Sequence, residues 1–195
     1  MPQKLTRADL MSLEHYAAAR ETFRALVLEH KRSRIVPIGP NASWSFEDRR
    51  TVQYQVQEML RIERIFEAAG IDEELAAYNP LVPDGSNWKA TFLIEFPDEQ
   101  QRREQLAALK GVEGRCWMQV EGEARVWAVA DEDLQRENEE KTSAVHFLRF
   151  ELTPAMTARV KAGAVIDAGI DHDAYRHEVR PLPAAHRDSL ARDLD

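Results

Sequence analysis

Short runs in which apolar and polar side chains alternate constrain the fold of this chain more than any other feature. In residues 89–96, every second position carries a bulky apolar side chain, namely Phe92, Ile94 and Phe96. A period of two is typical of a strand that buries one face in a sheet. Further strands are predicted over residues 34–38, 115–121, 123–130, 143–152 and 165–170. The sequence therefore predicts about five to six strands, and Gly122 between two of them indicates a hairpin.

Two long helices are predicted ahead of most of these strands. Thr6 and Asp9 are typical of a helix start, and the helical pattern continues to about Arg32. A second helical pattern begins at Ser45 and reaches Gly70, a residue type that is common just beyond a helix end. Shorter helices are predicted over residues 72–78, 98–110 and 154–162. The expected fold is therefore α+β, a largely antiparallel sheet with two long N-terminal helices and shorter helices packed on it.

The size and composition of the chain favour a single domain, residues 1–195. Hydrophobic residues make up 44% and charged residues 31%, which is ordinary for a globular protein. The net charge of −8 argues against duplex nucleic acid or an anionic membrane as the main partner. The sequence shows no signal peptide and no apolar stretch of about 18 residues, so the cytoplasm is the expected location. Cys116 is the only cysteine, which excludes an intrachain disulfide. It shares its side of a predicted strand with Met118 and Val120, so we predict a core thiol.

A carboxylate occupies the apolar face that is predicted for the second helix. The apolar residues of this face, which recur with the roughly 100° step of a helix, are Val52, Val56, Met59 and Phe66. Glu63 lies in the middle of the same face, and Glu67 follows one turn later. Because an uncompensated buried carboxylate is strongly unfavourable, Glu63 is expected to be paired, to bind a metal or to face a solvated pocket.

The strand predicted over residues 143–152 carries a similar polar exception. His146 shares its side of the strand with an otherwise apolar set, Ala144, Leu148, Phe150 and Leu152. We therefore predict that His146 points inward and that Glu63 and His146 face the same interior gap.

The predicted pair leaves several chemical roles open. Glu63 and His146 can form an ion pair, an acid–base couple, or part of a site for a divalent metal such as iron, manganese or zinc. The residues that could complete this ligand-binding site are Glu67, Asp171 and His172. The alternative is that both are structural residues that bond to the backbone or to Arg61 or Arg149. No compact metal-ligand motif supports the metal hypothesis.

Two charged clusters also have more than one interpretation. Residues 131–141 form the most charged run and predict a solvated loop or exposed helix, or else a site for a metal or a cationic partner. An exposed basic patch, or else a small-anion site at a helix start, is predicted for Arg32, Arg34, Arg49 and Arg50.

Two long strings carry a resemblance. Residues 79–91 read NPLVPDGSNWKAT and residues 137–150 read ENEEKTSAVHFLRF. Together with residues 55–63 and 169–172, they resemble an uncharacterised family of bacterial proteins that is known only as a domain of unknown function. The likeness covers nearly the whole chain. The resemblance implies rubrerythrin and a heterodisulfide-reductase-like iron–sulfur protein as neighbours in gene order, and hence a role near peroxide defence or electron transfer. It implies no catalytic residues.

The functional hypothesis is an accessory protein of that redox system, with a polar pocket around Glu63 and His146 that holds a metal or a small ligand. Rubrerythrin or the iron–sulfur protein is the partner that the resemblance implies. One alternative is an enzyme that uses the two side chains as acid and base. Another is a non-catalytic module that forms a homodimer through a sheet edge or a long helix.

Overall fold

The structure is a computed structural model that describes residues 4–132 and 141–195. Within these residues the helices are α1 (Leu13–Lys31), α2 (Arg49–Glu63), α3 (Ala68–Tyr78), α4 (Glu99–Ala108), α5 (Pro154–Lys161) and α6 (Ala184–Ala191). The strands are β1 (Ile35–Pro37), β2 (Ala42–Phe46), β3 (Asn87–Ile94), β4 (Cys116–Val120), β5 (Val126–Trp127), β6 (Val129–Ala130), β7 (Val145–Glu151), β8 (Ile166–His172) and β9 (Tyr175–Val179). The α+β class is thus confirmed. No helix in the described part of the chain is both long enough and apolar enough to cross a lipid bilayer.

The strands form two sheets rather than one. The five-stranded sheet has the order β1-β2-β3-β7-β6, and the four-stranded sheet has the order β5-β4-β8-β9. All of these strand pairs are antiparallel, which agrees with the largely antiparallel arrangement that the sequence predicts. The strand predicted over residues 123–130 is divided into β5 and β6, which belong to different sheets, because the chain crosses from one sheet to the other at Ala128.

The main hydrophobic core contains buried residues from both sheets. Its largest side chains include Trp44, Phe46, Trp88, Phe92, Phe150, Met118 and Ile166. Cys116 belongs to the same core, and burial raises the pKa of its thiol well above the ordinary value, as expected for a core residue. The even-numbered residues of β3 face this core, whereas Lys89, Thr91 and Leu93 point to the opposite, outer face of the five-stranded sheet.

A second, smaller hydrophobic cluster joins α2 and α3. Its buried residues are Leu5, Val52, Val56, Leu60, Leu75 and Val82. Asp48 caps the start of α2, since its side chain accepts a hydrogen bond from the Thr51 amide, whereas Ser45 lies in β2 and does not open the helix. The predicted continuation of this helix to Gly70 is wrong. Arg64 takes a left-handed conformation (φ 56°) and the Ile65 amide donates to the Leu60 carbonyl, which closes α2 after Glu63.

Candidate functional site

The structure separates the residues of the predicted interior pair. Glu63 lies in the last turn of α2 with its side chain exposed, and Glu67 is exposed just before α3. Phe66, expected on the buried face, is 73% exposed. His146 is 0% exposed on β7, so its inward orientation is confirmed. The prediction that Glu63 and His146 face the same interior gap is wrong. The chain turns after Glu63 and places Ile65 against the second cluster instead.

His146 is surrounded by polar groups from Glu113, Asp131, Thr142 and Ser143. Its Nδ1 lies 2.6 Å from Oδ2 of Asp131, and its Nε2 lies 3.0 Å from both the Thr142 hydroxyl and the Ser143 carbonyl oxygen. The nearest oxygen of Glu113 is 3.8 Å from Nε2. Asp131 also accepts from the Phe147 amide at 2.9 Å through its other oxygen. These contacts satisfy the imidazole without solvent, which is typical of a structural histidine.

We expect His146→Leu to lower the free energy of unfolding by about 2 kcal/mol, since it removes the buried imidazole that bonds to the Asp131 carboxylate and to the Thr142 hydroxyl. Chemical denaturation checks this value. The matched control is His172→Leu, which removes a partly exposed histidine and is expected to cost less than about 1 kcal/mol. Equal stability of the His146→Leu variant and the unmodified protein would contradict the structural role.

Asp171 and His172 lie together on β8 of the four-stranded sheet. Asp171 accepts from Arg176 Nε at 2.8 Å, and the Nδ1 of His172 accepts from the Ala174 amide at 3.2 Å. His172 Nε2 then donates to the Lys110 carbonyl oxygen at 3.0 Å. Asp171 and His172 share none of the hydrogen-bond partners of His146, and Glu63 and Glu67 are exposed at the end of α2 and the start of α3, so the five predicted site residues do not form one cluster. In residues 4–132 and 141–195, no group of three or more His, Cys, Asp or Glu side chains is arranged to hold a metal ion.

A groove of about 850 Å³ lies on the outer face of the five-stranded sheet, beneath α2 and α3. Its less polar lining residues are Met59, Ala77, Tyr78, Pro80, Leu81, Phe147 and Leu148. Its charged lining residues are Lys4, Glu74, Asp84, Lys89, Glu132, Arg149 and Glu151. Both strings that carry the family resemblance contribute to this lining, through residues 80–89 and 147–149. Residues 133–140, which hold most of the predicted acidic run, lie outside the described residues.

Arg149 connects two carboxylates of the groove. Its Nε and Nη2 donate to the two oxygens of Glu132 at 2.8 and 2.9 Å, and its Nη1 donates to Glu151 at 2.6 Å. The hydrogen bond from Arg149 lowers the pKa of Glu132 below its ordinary value. Burial alone raises the pKa of Glu151, but hydrogen bonds from Ser86, Asn87 and Arg149 outweigh it and lower that pKa.

Lys89 is held on the neighbouring strand, directly opposite Arg149. Its Nζ donates to the carbonyl oxygens of Pro80 at 2.9 Å and Val82 at 3.1 Å, and it lies 3.6 Å from Asp84. Lys89 therefore fixes the loop between α3 and β3 against the sheet and forms one wall of the groove. Sequence reasoning missed this site, because the two cations become neighbours only through strand pairing.

Comparisons with known proteins identify a family and no activity. The family model described as "Protein of unknown function (DUF3501)" matches residues 4–194. A crystal structure of a novel protein of unknown function from Burkholderia pseudomallei K96243 shares 52% sequence identity with the chain. The alignment covers 99% of this chain and 100% of that chain, with a TM-score of 0.94. No protein of curated function matches. The chain therefore belongs to the DUF3501 family of proteins of unknown function.

Proposed function

We propose that this protein binds a small organic molecule in the groove between α2, α3 and the outer face of the five-stranded sheet. The observation that carries the proposal is the groove itself, about 850 Å³ in volume, with a lining that combines apolar and charged side chains. Ligand pockets for small molecules commonly measure roughly 300–1,000 Å³ and combine apolar walls with a few placed polar groups.

The groove is held in shape by contacts that do not require a ligand. Arg149 donates hydrogen bonds to both Glu132 and Glu151 across the sheet surface. Lys89 connects the sheet to the loop that follows α3. Side chains that are already fixed lose little conformational entropy when a ligand binds, which favours binding.

The cellular setting of this proposal is an accessory role in a redox or peroxide-stress system. A rubrerythrin or an iron–sulfur protein is the proposed partner, and the family resemblance is its only support. Size-exclusion chromatography of the chain mixed with a purified rubrerythrin tests this part. Co-elution would support the partnership, and separate elution at micromolar concentrations would remove it from the proposal.

We expect Ala77→Trp to weaken the binding of a neutral apolar dye, Nile red, by about tenfold or more, which corresponds to about 1.4 kcal/mol. Ala77 is exposed and lines the groove, so an indole at this position fills it without removing a native contact. Dye fluorescence measured against protein concentration gives the dissociation constant.

Ala76→Trp is the matched control, because Ala76 is also exposed on α3 but does not line the groove. Both substitutions place the same residue in the same helix, so their effects on helix propensity are similar. Equal dye affinity in the two variants would contradict binding in the groove.

A further inference from the structure

Most cationic donors of the groove are already paired within the protein, whereas its carboxylates can still accept hydrogen bonds. This difference indicates the charge of the ligand. We propose that the ligand is a small organic cation, a primary amine or guanidine attached to an apolar or aromatic body. This inference rests on the proposed function, because it concerns the occupant of the same groove.

The two cations on the sheet surface are already neutralised by the protein. Arg149 is bound to two carboxylates, Glu132 and Glu151, through three hydrogen bonds. Two of the three N–H groups of Lys89 are directed to carbonyl oxygens, and Asp84 lies 3.6 Å from the ammonium. The third cation of the lining, Lys4, is exposed to solvent. To bind Arg149, an anionic ligand would have to displace its two-pronged pair with Glu132, which is a strong arrangement.

The carboxylates of the groove retain acceptor capacity. Among the described residues, the lining contains four carboxylates and three cations. An ionised carboxylate offers about four lone-pair sites, and Glu132 uses two of them for Arg149. The side chains of Glu132 and Asp84 are 53% and 61% exposed, so a ligand can reach both. A cationic ligand can therefore add hydrogen bonds here without breaking those already present.

Two aromatic rings provide the complementary apolar surface. Tyr78 and Phe147 both line the groove and are half-buried. Burial, followed by the nearby charge of Glu74, raises the pKa of Tyr78, so its ring stays neutral at physiological pH. Aromatic faces attract ammonium and guanidinium groups through their quadrupole. The groove thus combines the two features that recognise an amine with an aromatic or aliphatic body.

The experiment compares three probes that share an indole ring and differ in charge: tryptamine, indole-3-ethanol and indole-3-propionate. Binding to the full chain is followed by NMR of ¹³C-methyl methionine, in which Met59 reports on the groove and is assigned with Met59→Leu. We expect saturable shifts of the Met59 signal with tryptamine, at an affinity about tenfold or more above that of indole-3-propionate. Tighter binding of indole-3-propionate, or equal affinity for all three probes, would overturn the cation proposal and leave the groove as a binding site. No Met59 shift with any probe would overturn the proposed function as well.

Glu132→Gln supplies a second, independent measurement. The substitution removes one carboxylate charge and releases one side of Arg149, so we expect tryptamine affinity to fall by about fivefold and indole-3-propionate affinity to rise. Glu178→Gln is the matched control, because Glu178 is a strand glutamate paired with Arg125 and Arg180 away from the groove. A parallel change in the affinities for both probes would indicate a structural effect of Glu132 and overturn the charge assignment.

Discussion

Replacing Arg34 with methionine is expected to lower the free energy of unfolding by about 3–5 kcal/mol. Arg34 is 1% exposed, and its Nη2 donates to Oδ2 of Asp193 at 2.6 Å. The same guanidinium donates to the carbonyl oxygens of Phe46 at 2.9 Å and Glu47 at 3.0 Å, and to the Ser189 hydroxyl at 3.1 Å. Arg34 thereby connects α6 to the segment between β2 and α2.

The loss is expected to be large because methionine fills part of the space but supplies no hydrogen-bond donor. Asp193 would remain buried without its donor, either protonated or as an unpaired charge, and the Phe46 and Glu47 carbonyl groups would lose their hydrogen bonds from Arg34. Arg32→Met is the control, since Arg32 is 78% exposed and its ion-pair partner among the described residues is Glu29, in the adjacent turn. Its expected effect is below about 1 kcal/mol. Urea denaturation of the three proteins gives the values, and similar losses in both variants would contradict the role of the buried cation.

The exposed basic patch predicted from the arginine-rich sequence is therefore wrong for Arg34. A charged side chain near the start of a short predicted strand gives no sign of burial, because the residues that surround it come from distant parts of the chain. Asp193 and Ser189 lie at the C-terminal end of the sequence. The docking of α6, which periodicity does not predict, converts a surface arginine into a core one.

Local patterns were sufficient for the fold class and for most elements. The alternation in residues 89–96 and 143–152 corresponds to β3 and β7. β2 was missed because Ser45 resembles a helix cap, whereas in the structure it pairs with Thr91 of β3. The division into two sheets was also missed, since nothing local marks Ala128 as the point where the chain changes sheet.

The candidate groove depends on strand register, which the sequence does not reveal. Lys89 and Arg149 are directly opposite each other on β3 and β7. Two like charges at such positions are destabilising unless carboxylates neutralise them, and Asp84, Glu132 and Glu151 do so here. Glu63, in contrast, was predicted to be buried and is exposed. Helical periodicity placed it in the core, but the periodicity ends with the helix.

Asp193→Asn is expected to change the pH dependence of stability more than any single surface substitution. Asp193 is 8% exposed, and burial raises its pKa from 3.8 to about 6, even though the charge and hydrogen bonds of Arg34 act in the opposite direction. The neighbouring charge of Asp48 raises this pKa further, and Arg192 lowers it. Oδ2 of Asp48 in turn lies 2.5 Å from Nε2 of His30 and 3.5 Å from Nη1 of Arg34.

The sign of the effect follows from proton binding. Between about pH 4 and pH 6 the folded protein holds the Asp193 proton more tightly than the unfolded chain, so the stability contributed by protonation is present at low pH and is lost as the pH rises through 6.

A shift of about two pKa units corresponds to about 3 kcal/mol. Because asparagine is neutral throughout, the unmodified protein is expected to lose about 2–3 kcal/mol relative to Asp193→Asn between pH 4 and pH 7. Denaturation of both proteins at intervals of one pH unit measures this difference, in which the titration of all other groups largely cancels. Asp48, whose pKa is lowered, acts below this window and with the opposite sign. A stability difference that stays constant or grows in the other direction as the pH rises would show that Asp193 is ionised throughout and that the Arg34 ion pair outweighs its burial.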